Sequence, residues 1–179
     1  MLSLPAKSLS LVFAAASALA ALPAAADPPR LRATALGGLE RTDSAPGTAA
    51  ANGVYYGGQI GADWDLGGLL VGIEGDLGDS TASAVIPGNR ASQSLFGSAA
   101  LRLALPLGDG ARVFVRGGYA YHTINYTTGP AFKGSGTTLG GGGEVDLTAQ
   151  LFVRGEYRFN NYGQTVRGQQ FLGGIGLRF

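Results

Sequence analysis

Cysteine is absent from the 179 residues and histidine occurs once, at His122. The first absence excludes disulfide scaffolds, Cys-ligated zinc and cysteine nucleophiles. The second leaves no histidine cluster for a catalytic metal. Charge is scarce at 14% and balanced, with 13 Lys and Arg against 12 Asp and Glu. Nucleic acid needs a basic face or tail, and none is available. No run after residue 26 approaches the roughly 20 apolar residues of a membrane-spanning helix. Glycine is abundant instead, at 31 residues, and hydrophobic residues make up 45%. That content is too apolar for an ordinary disordered chain, and the length suits one domain.

Residues 1–26 read as a secretory signal. Lys7 supplies the positive n-region, residues 9–22 the apolar segment, and Pro23 with Ala24, Ala25 and Ala26 the helix break and small residues of a cleavage site. The expected cut falls between Ala26 and Asp27. It leaves residues 27–179 as the mature domain, with equal numbers of basic and acidic side chains.

The mature chain is a series of short alternating runs separated by Gly, Pro, Asn, Asp and Ser, the pattern of an all-β protein. Successive strand side chains point to opposite faces, so odd and even positions form two lists. Eight runs emerge: 31–40, 54–66, 69–77, 94–103, 112–122, 138–147, 151–159 and 170–179. In every run the charged residues share one face. That face carries Arg32, Glu40, Asp63, Asp65, Glu74, Asp76, Glu144, Asp146 and Glu156 with Arg102, Arg116, Arg154, Arg158 and Arg178. The other face is apolar, as in Val113, Val115, Tyr119 and Tyr121, or Leu151, Val153, Tyr157 and Phe159.

A soluble eight-stranded barrel would turn the charged face to water, and a membrane barrel would turn it into the lumen. The links favour the membrane. Those at 67–68, 106–111 and 148–149 are short, whereas 42–52, 79–91, 127–136 and 160–168 read as long loops, matching short periplasmic turns against long outer loops. Apolar-face aromatics also collect at strand ends, Tyr56, Tyr121, Tyr157 and Phe159 towards the long loops and Trp64 towards the short turns, as in interfacial girdles. The expected fold is an eight-stranded antiparallel up-and-down transmembrane β-barrel.

Five stretches stand out: Gly57-Gly58-Gln59-Ile60-Gly61 with Trp64, Val71-Gly72-Ile73-Glu74-Gly75-Asp76, Arg116-Gly117-Gly118-Tyr119-Ala120-Tyr121, Gly155-Glu156-Tyr157-Arg158-Phe159 and Gly176-Leu177-Arg178-Phe179. With these the chain resembles the small eight-stranded outer-membrane barrels of the OmpA-like and opacity type, and most nearly the alphaproteobacterial outer-membrane "porin family" proteins. The likeness spans residues 53–179. The first run departs from it, lacking the Trp- and Tyr-rich opening of such proteins. The resemblance implies an outer-membrane location in a Gram-negative envelope, outer-membrane lipid as surroundings, and biogenesis with periplasmic chaperones and the barrel-assembly machinery. It also implies that Phe171, Ile175, Leu177 and Phe179 form the last-strand assembly signal.

An eight-stranded barrel is just wide enough for side chains to fill it. Glu74, Asp76, Arg102, Arg116, Glu144, Asp146, Arg154, Glu156, Arg158 and Arg178 are therefore expected to form a lumen charge network. One example is Arg154 and Arg158 pairing with Glu144, Asp146 and Glu156, because isolated buried charges are expensive. Glycines 140–143 lack the Lys-Ser/Thr of a phosphate loop and lead into no helix. His122, Thr123 and Asn125 do not make a hydrolase, because parity sends His122 inward and Thr123 outward, with no carboxylate on the outer face. No catalytic residue, cofactor or metal is expected, nor a peptidoglycan-binding domain after the barrel. The reading is an envelope-structural or surface-interacting barrel. A narrow porin-like channel, and an adhesin or ligand binder acting through the outer loops, are the alternatives.

Overall fold

The computed structural model describes residues 28–43, 50–86, 89–127, 129–162 and 166–179. The expected export signal and its expected cleavage site at Ala26 and Asp27 lie outside these residues. Among the described residues nine strands follow one another: β1 (Arg30–Asp43), β2 (Ala51–Asp65), β3 (Leu70–Ser80), β4 (Ser83–Ile86), β5 (Asn89–Pro106), β6 (Ala111–Tyr126), β7 (Phe132–Asp146), β8 (Leu151–Asn161) and β9 (Arg167–Arg178). All pairings are antiparallel, and β1 pairs with both β2 and β9, which closes the sheet. β3 and β4 both lie between β2 and β5, so they are two pieces of one stave, and the barrel has eight.

The turns on one side are tight. Gly67 and Gly68 adopt φ of 78° and 99°, the left-handed region that a side chain resists. Asp65 Oδ1 accepts both of their N–H groups, and Leu66 N–H donates to Leu69 O at 2.9 Å. The seam between β1 and β9 closes on the same side, where Phe179 N–H donates to Leu31 O at 3.0 Å.

The strands are longer than the sequence pattern indicates on the opposite side. β1 runs from Arg30 to Asp43 rather than 31 to 40, keeping Arg32 and Glu40 inward, and its register is set by Ala33 opposite both Ile60 and Leu177. Most of the expected loop at 79–91 is strand. Val54 N–H donates to Thr81 Oγ1, Thr81 N–H to Val54 O, and Gln93 N–H to Ala82 O, so the chain only kinks at Thr81-Ala82 before β4 resumes. A bulge between Ser94 and Phe96 gives Leu95 a φ of 33° and shifts the inward parity from Gln93 to Phe96. These irregularities break the period of two, which is why 79–91 looks like a loop in sequence. Similarly β7 begins at Phe132, inside the expected 127–136 loop, and β9 begins at Arg167. β5, β6 and β7, at 18, 16 and 15 residues, exceed the roughly 9–11 that cross a bilayer and carry the sheet past it on the loop side.

Burial is inverted relative to a water-soluble protein. Leu39, Ile60, Leu77 and Leu139 are each at least 60% exposed on the outer wall, while Arg102, Arg116 and Arg158 are at most 1% exposed. Only a surrounding hydrocarbon phase makes this arrangement favourable.

Candidate functional site

The chemistry of the molecule lies in the lumen. At the short-turn mouth, Asp146 takes both guanidinium NH groups of Arg112 at 2.8 Å and also binds Arg178. Arg178 reaches on to Glu144 at 2.8 Å and lies 4.0 Å above the Phe152 ring. Asp146 is therefore spent on Arg112 and Arg178. It does not reach Arg154 or Arg158, the partners expected from sequence.

The next layer is an interlocked ionic core. Asp63 pairs with Arg32 and Arg102, each at 2.8 Å, and accepts hydrogen bonds from both. Glu74 lies 2.7 Å from Arg116, 3.3 Å from Arg32 and 3.4 Å from Arg154. Glu144 meets Arg102 at 2.8 Å and Arg154 at 3.6 Å. Glu156 sits between Arg154 and Arg158, its i−2 and i+2 neighbours on the inward face of β8, at 2.8 and 3.1 Å, and faces Arg116 at 3.3 Å. Asp76 accepts from Arg158 at 3.0 Å, Arg116 at 3.2 Å and Ser98 Oγ at 2.6 Å. Gln59 Oε1 takes a further Arg154 N–H at 2.7 Å. Each guanidinium offers five donors in a rigid fork, which allows one arginine to serve carboxylates from several strands.

Aromatic rings bracket this core. Phe114 lies under Arg154 and Arg102, at 4.1 and 4.8 Å from the ring centroid. On the loop side Phe96 lies 5.6 Å from Arg158 and packs edge-on against Tyr55. Leu36, Ala120, Tyr162 and Leu172 complete an apolar layer there. Within the same loop-side half, Gln93 and Gln170 donate to Glu40, Thr42 donates to Gln93, and His122 stacks on Tyr162.

Arg32 and Asp63 belong to the core although the ten-residue network expected from sequence omits them; their inward parity is the signal that finds them. The inward positions of Tyr55, Phe96, Phe114 and Phe152 are equally readable, but only the cross-lumen distances show that the three phenylalanine rings carry guanidiniums. His122 faces the lumen and is fully buried, away from Thr123, so the two do not form a nucleophile and base. Among the described residues no three His, Cys, Asp or Glu side chains cluster as a metal site.

The outer wall carries the other named residues. Tyr56, Tyr121 and Tyr157 are exposed near the loop end, Phe159 is half-buried beside them, and Trp64 is half-buried opposite Val71, next to a short turn. Phe171, Ile175, Leu177 and Phe179 are all exposed along β9, with Phe179 at its end.

Residues 11–179 match the family model described as the outer membrane protein beta-barrel domain. No curated protein matches the chain. Among solved structures, Ail, the attachment invasion locus protein of Yersinia pestis, superposes with a TM-score of 0.65 at 8% identity, over 86% of this chain and 99% of that one. Neisserial surface protein A aligns at 0.62 and 14% identity, over 86% and 99%. The N-terminal β-barrel domain of Pseudomonas aeruginosa OprF aligns at 0.58 and 17% identity, over 84% and 97%. At these identities the likeness is one of fold.

Proposed function

Because the chain belongs to the family of outer-membrane β-barrel domains, we propose that it works as a closed barrel, structural in the envelope and interactive at its outer rim, rather than as a solute channel or an enzyme. One observation carries the reading. The bore is crossed by five arginines and five carboxylates of the ionic core, all at most 5% exposed, so that layer is packed with side chains that solvent barely reaches. Such a lumen is a core, and its charges are satisfied by one another.

The extension of β4 to β7 beyond the bilayer favours the surface-interaction half of this reading. It displays Arg90 and Lys133 on exposed positions at the loop end. A narrow channel is the competing reading, and it would require the ionic core to open. Phe171, Ile175, Leu177 and Phe179 are proposed to serve as the docking signal for the assembly machinery. Export is proposed to use the leader that ends at Ala26, before Asp27.

A strain lacking the protein tests the reading. Greater sensitivity to detergent with unchanged uptake of a small sugar is expected. Slower sugar uptake with an unaltered detergent response would overturn it.

A further inference from the structure

The loop-side half of the lumen holds a carboxylate that the ionic core does not neutralise. Among the described residues, the buried charged set comprises Arg32, Arg102, Arg116, Arg154 and Arg158 against Glu40, Asp63, Glu74, Asp76, Glu144 and Glu156. Every member except Glu40 is in an ion pair. Glu40, at 3% exposure, is held by neutral amides: Gln93 Nε2 and Gln170 Nε2 both donate to its Oε1 at 2.9 Å. Its Oε2 is buried and makes no hydrogen bond within the protein.

Other oxygens around it are in the same condition. Gln170 Oε1, Asn160 Oδ1, Thr138 Oγ1 and the Tyr162 hydroxyl are buried without a hydrogen-bond partner. The register sets them at adjacent levels of neighbouring strands. Glu40 stands opposite Gln170, Asn160 opposite Gly168, and Thr138 opposite Asn160, along β1, β9, β8 and β7 in turn. Gly168 contributes no side chain, and a Cβ there would fit in ordinary contact with Tyr162 and Asn160 at 3.5 to 3.6 Å, so the position has room for about one methyl-sized group. An unpaired buried charge and orphaned oxygens would each cost folding free energy, and one bound cation offsets that cost for the oxygens that ligate it.

We infer that Glu40 Oε2, Gln170 Oε1 and Asn160 Oδ1 form a binding site for a single monovalent alkali cation inside the outer half of the barrel. The donor set is all hard oxygen, which suits s-block ions rather than thiophilic or imidazole-seeking metals. The single carboxylate sets the charge: one monovalent ion neutralises it, whereas a divalent ion would leave a surplus positive charge in the lumen. The site lies on the loop side of the Tyr55 and Phe96 layer, so the ion enters from the cell exterior or is trapped as the barrel closes.

The full barrel, refolded in rubidium chloride and crystallised, tests this directly. An anomalous peak at coordination distance from Glu40 Oε2 is expected; water or a protonated carboxyl there gives none, and its absence would overturn the site. Unfolding temperature provides a second reading as potassium replaces choline at fixed ionic strength. An upward shift in the native barrel that Glu40→Gln abolishes is expected, since only the folded state binds the ion. Equal shifts in both, or none in either, would overturn it. Should Glu40→Gln fail to refold, the rubidium density of the native barrel decides alone.

Discussion

Arg102 on β5 and Arg116 on β6 are direct cross-strand neighbours, two guanidiniums of like charge, both essentially inaccessible to solvent. Like charges directly opposite one another destabilise a sheet. Carboxylates from across the bore compensate, Asp63 and Glu144 for Arg102 and Glu74 and Glu156 for Arg116. The lumen charges thus tie together strands that share no backbone hydrogen bonds, which makes the barrel wall and its filling a single unit.

Removing one member of this unit strands its partners. Glu156→Gln leaves Arg154, Arg158 and Arg116 short of a carboxylate and is expected to cost about 3–5 kcal/mol. Asp43→Asn, in the exposed pair with Arg41, is expected to cost at most about 1 kcal/mol. Urea unfolding of the refolded barrels in lipid measures both. Equal, negligible effects would mean that the interior pairs contribute nothing to stability.

The orientation of the wall predicts a penalty for charge outside. Val153 faces outward between Val145 and Ile175. Val153→Arg at the bilayer midplane is expected to cost about 2–4 kcal/mol by the same unfolding assay. A neutral substitution would mean that the lipid and lumen faces are reversed.

Strand β7 is glycine-rich partly for a steric reason, seen at Gly136 and Gly142. A Cβ on Gly142 would run into the backbone carbonyl of Gly155 on β8, whereas a Cβ on Gly155 would meet nothing within 4 Å. Gly142→Ala is expected to lower stability by at least the ~1–3 kcal/mol of an overpacked core, and Gly155→Ala to leave it nearly unchanged. Thermal unfolding of the pair, followed by gel mobility, separates a requirement for close approach from a general tolerance of small residues.

Phe179 is 72% exposed, and its side chain adds little to the folded barrel, although its backbone closes the seam to Leu31. Phe179→Ala is expected to reduce the amount assembled in cells while leaving the urea midpoint of refolded protein within error. A lowered midpoint with normal assembly would reassign the residue from recognition to packing.

The wall was legible in the sequence because strand geometry enforces a period of two: Leu151, Val153, Tyr157 and Phe159 alternate with Arg154, Glu156 and Arg158, and the structure keeps that split. It failed where the period breaks, at the Leu95 bulge and the Thr81-Ala82 kink, which hid β4 and the start of β5. The lumen partners are legible as a set and partly as pairs, since Arg154 meets Glu144 and Glu156, and Arg158 meets Glu156, as the sequence suggests. Asp146 was expected near Arg154 and Arg158, but the register sets it opposite Phe152 at the end of β7, where it meets Arg112 and Arg178 at the mouth. Pairs such as Arg158 with Asp76, 82 residues apart, span the bore between strands that are not neighbours, and no local spacing encodes them.

Single-barrel conductance in a planar lipid bilayer tests the closed lumen most directly. The refolded protein is expected to insert without producing current steps in molar potassium chloride, because Arg32, Arg102, Arg116, Arg154 and Arg158 with their carboxylates occupy the bore. Reproducible steps that change in size when Glu74 or Arg116 is neutralised would contradict this, and would make the same charges the lining of a conducting path.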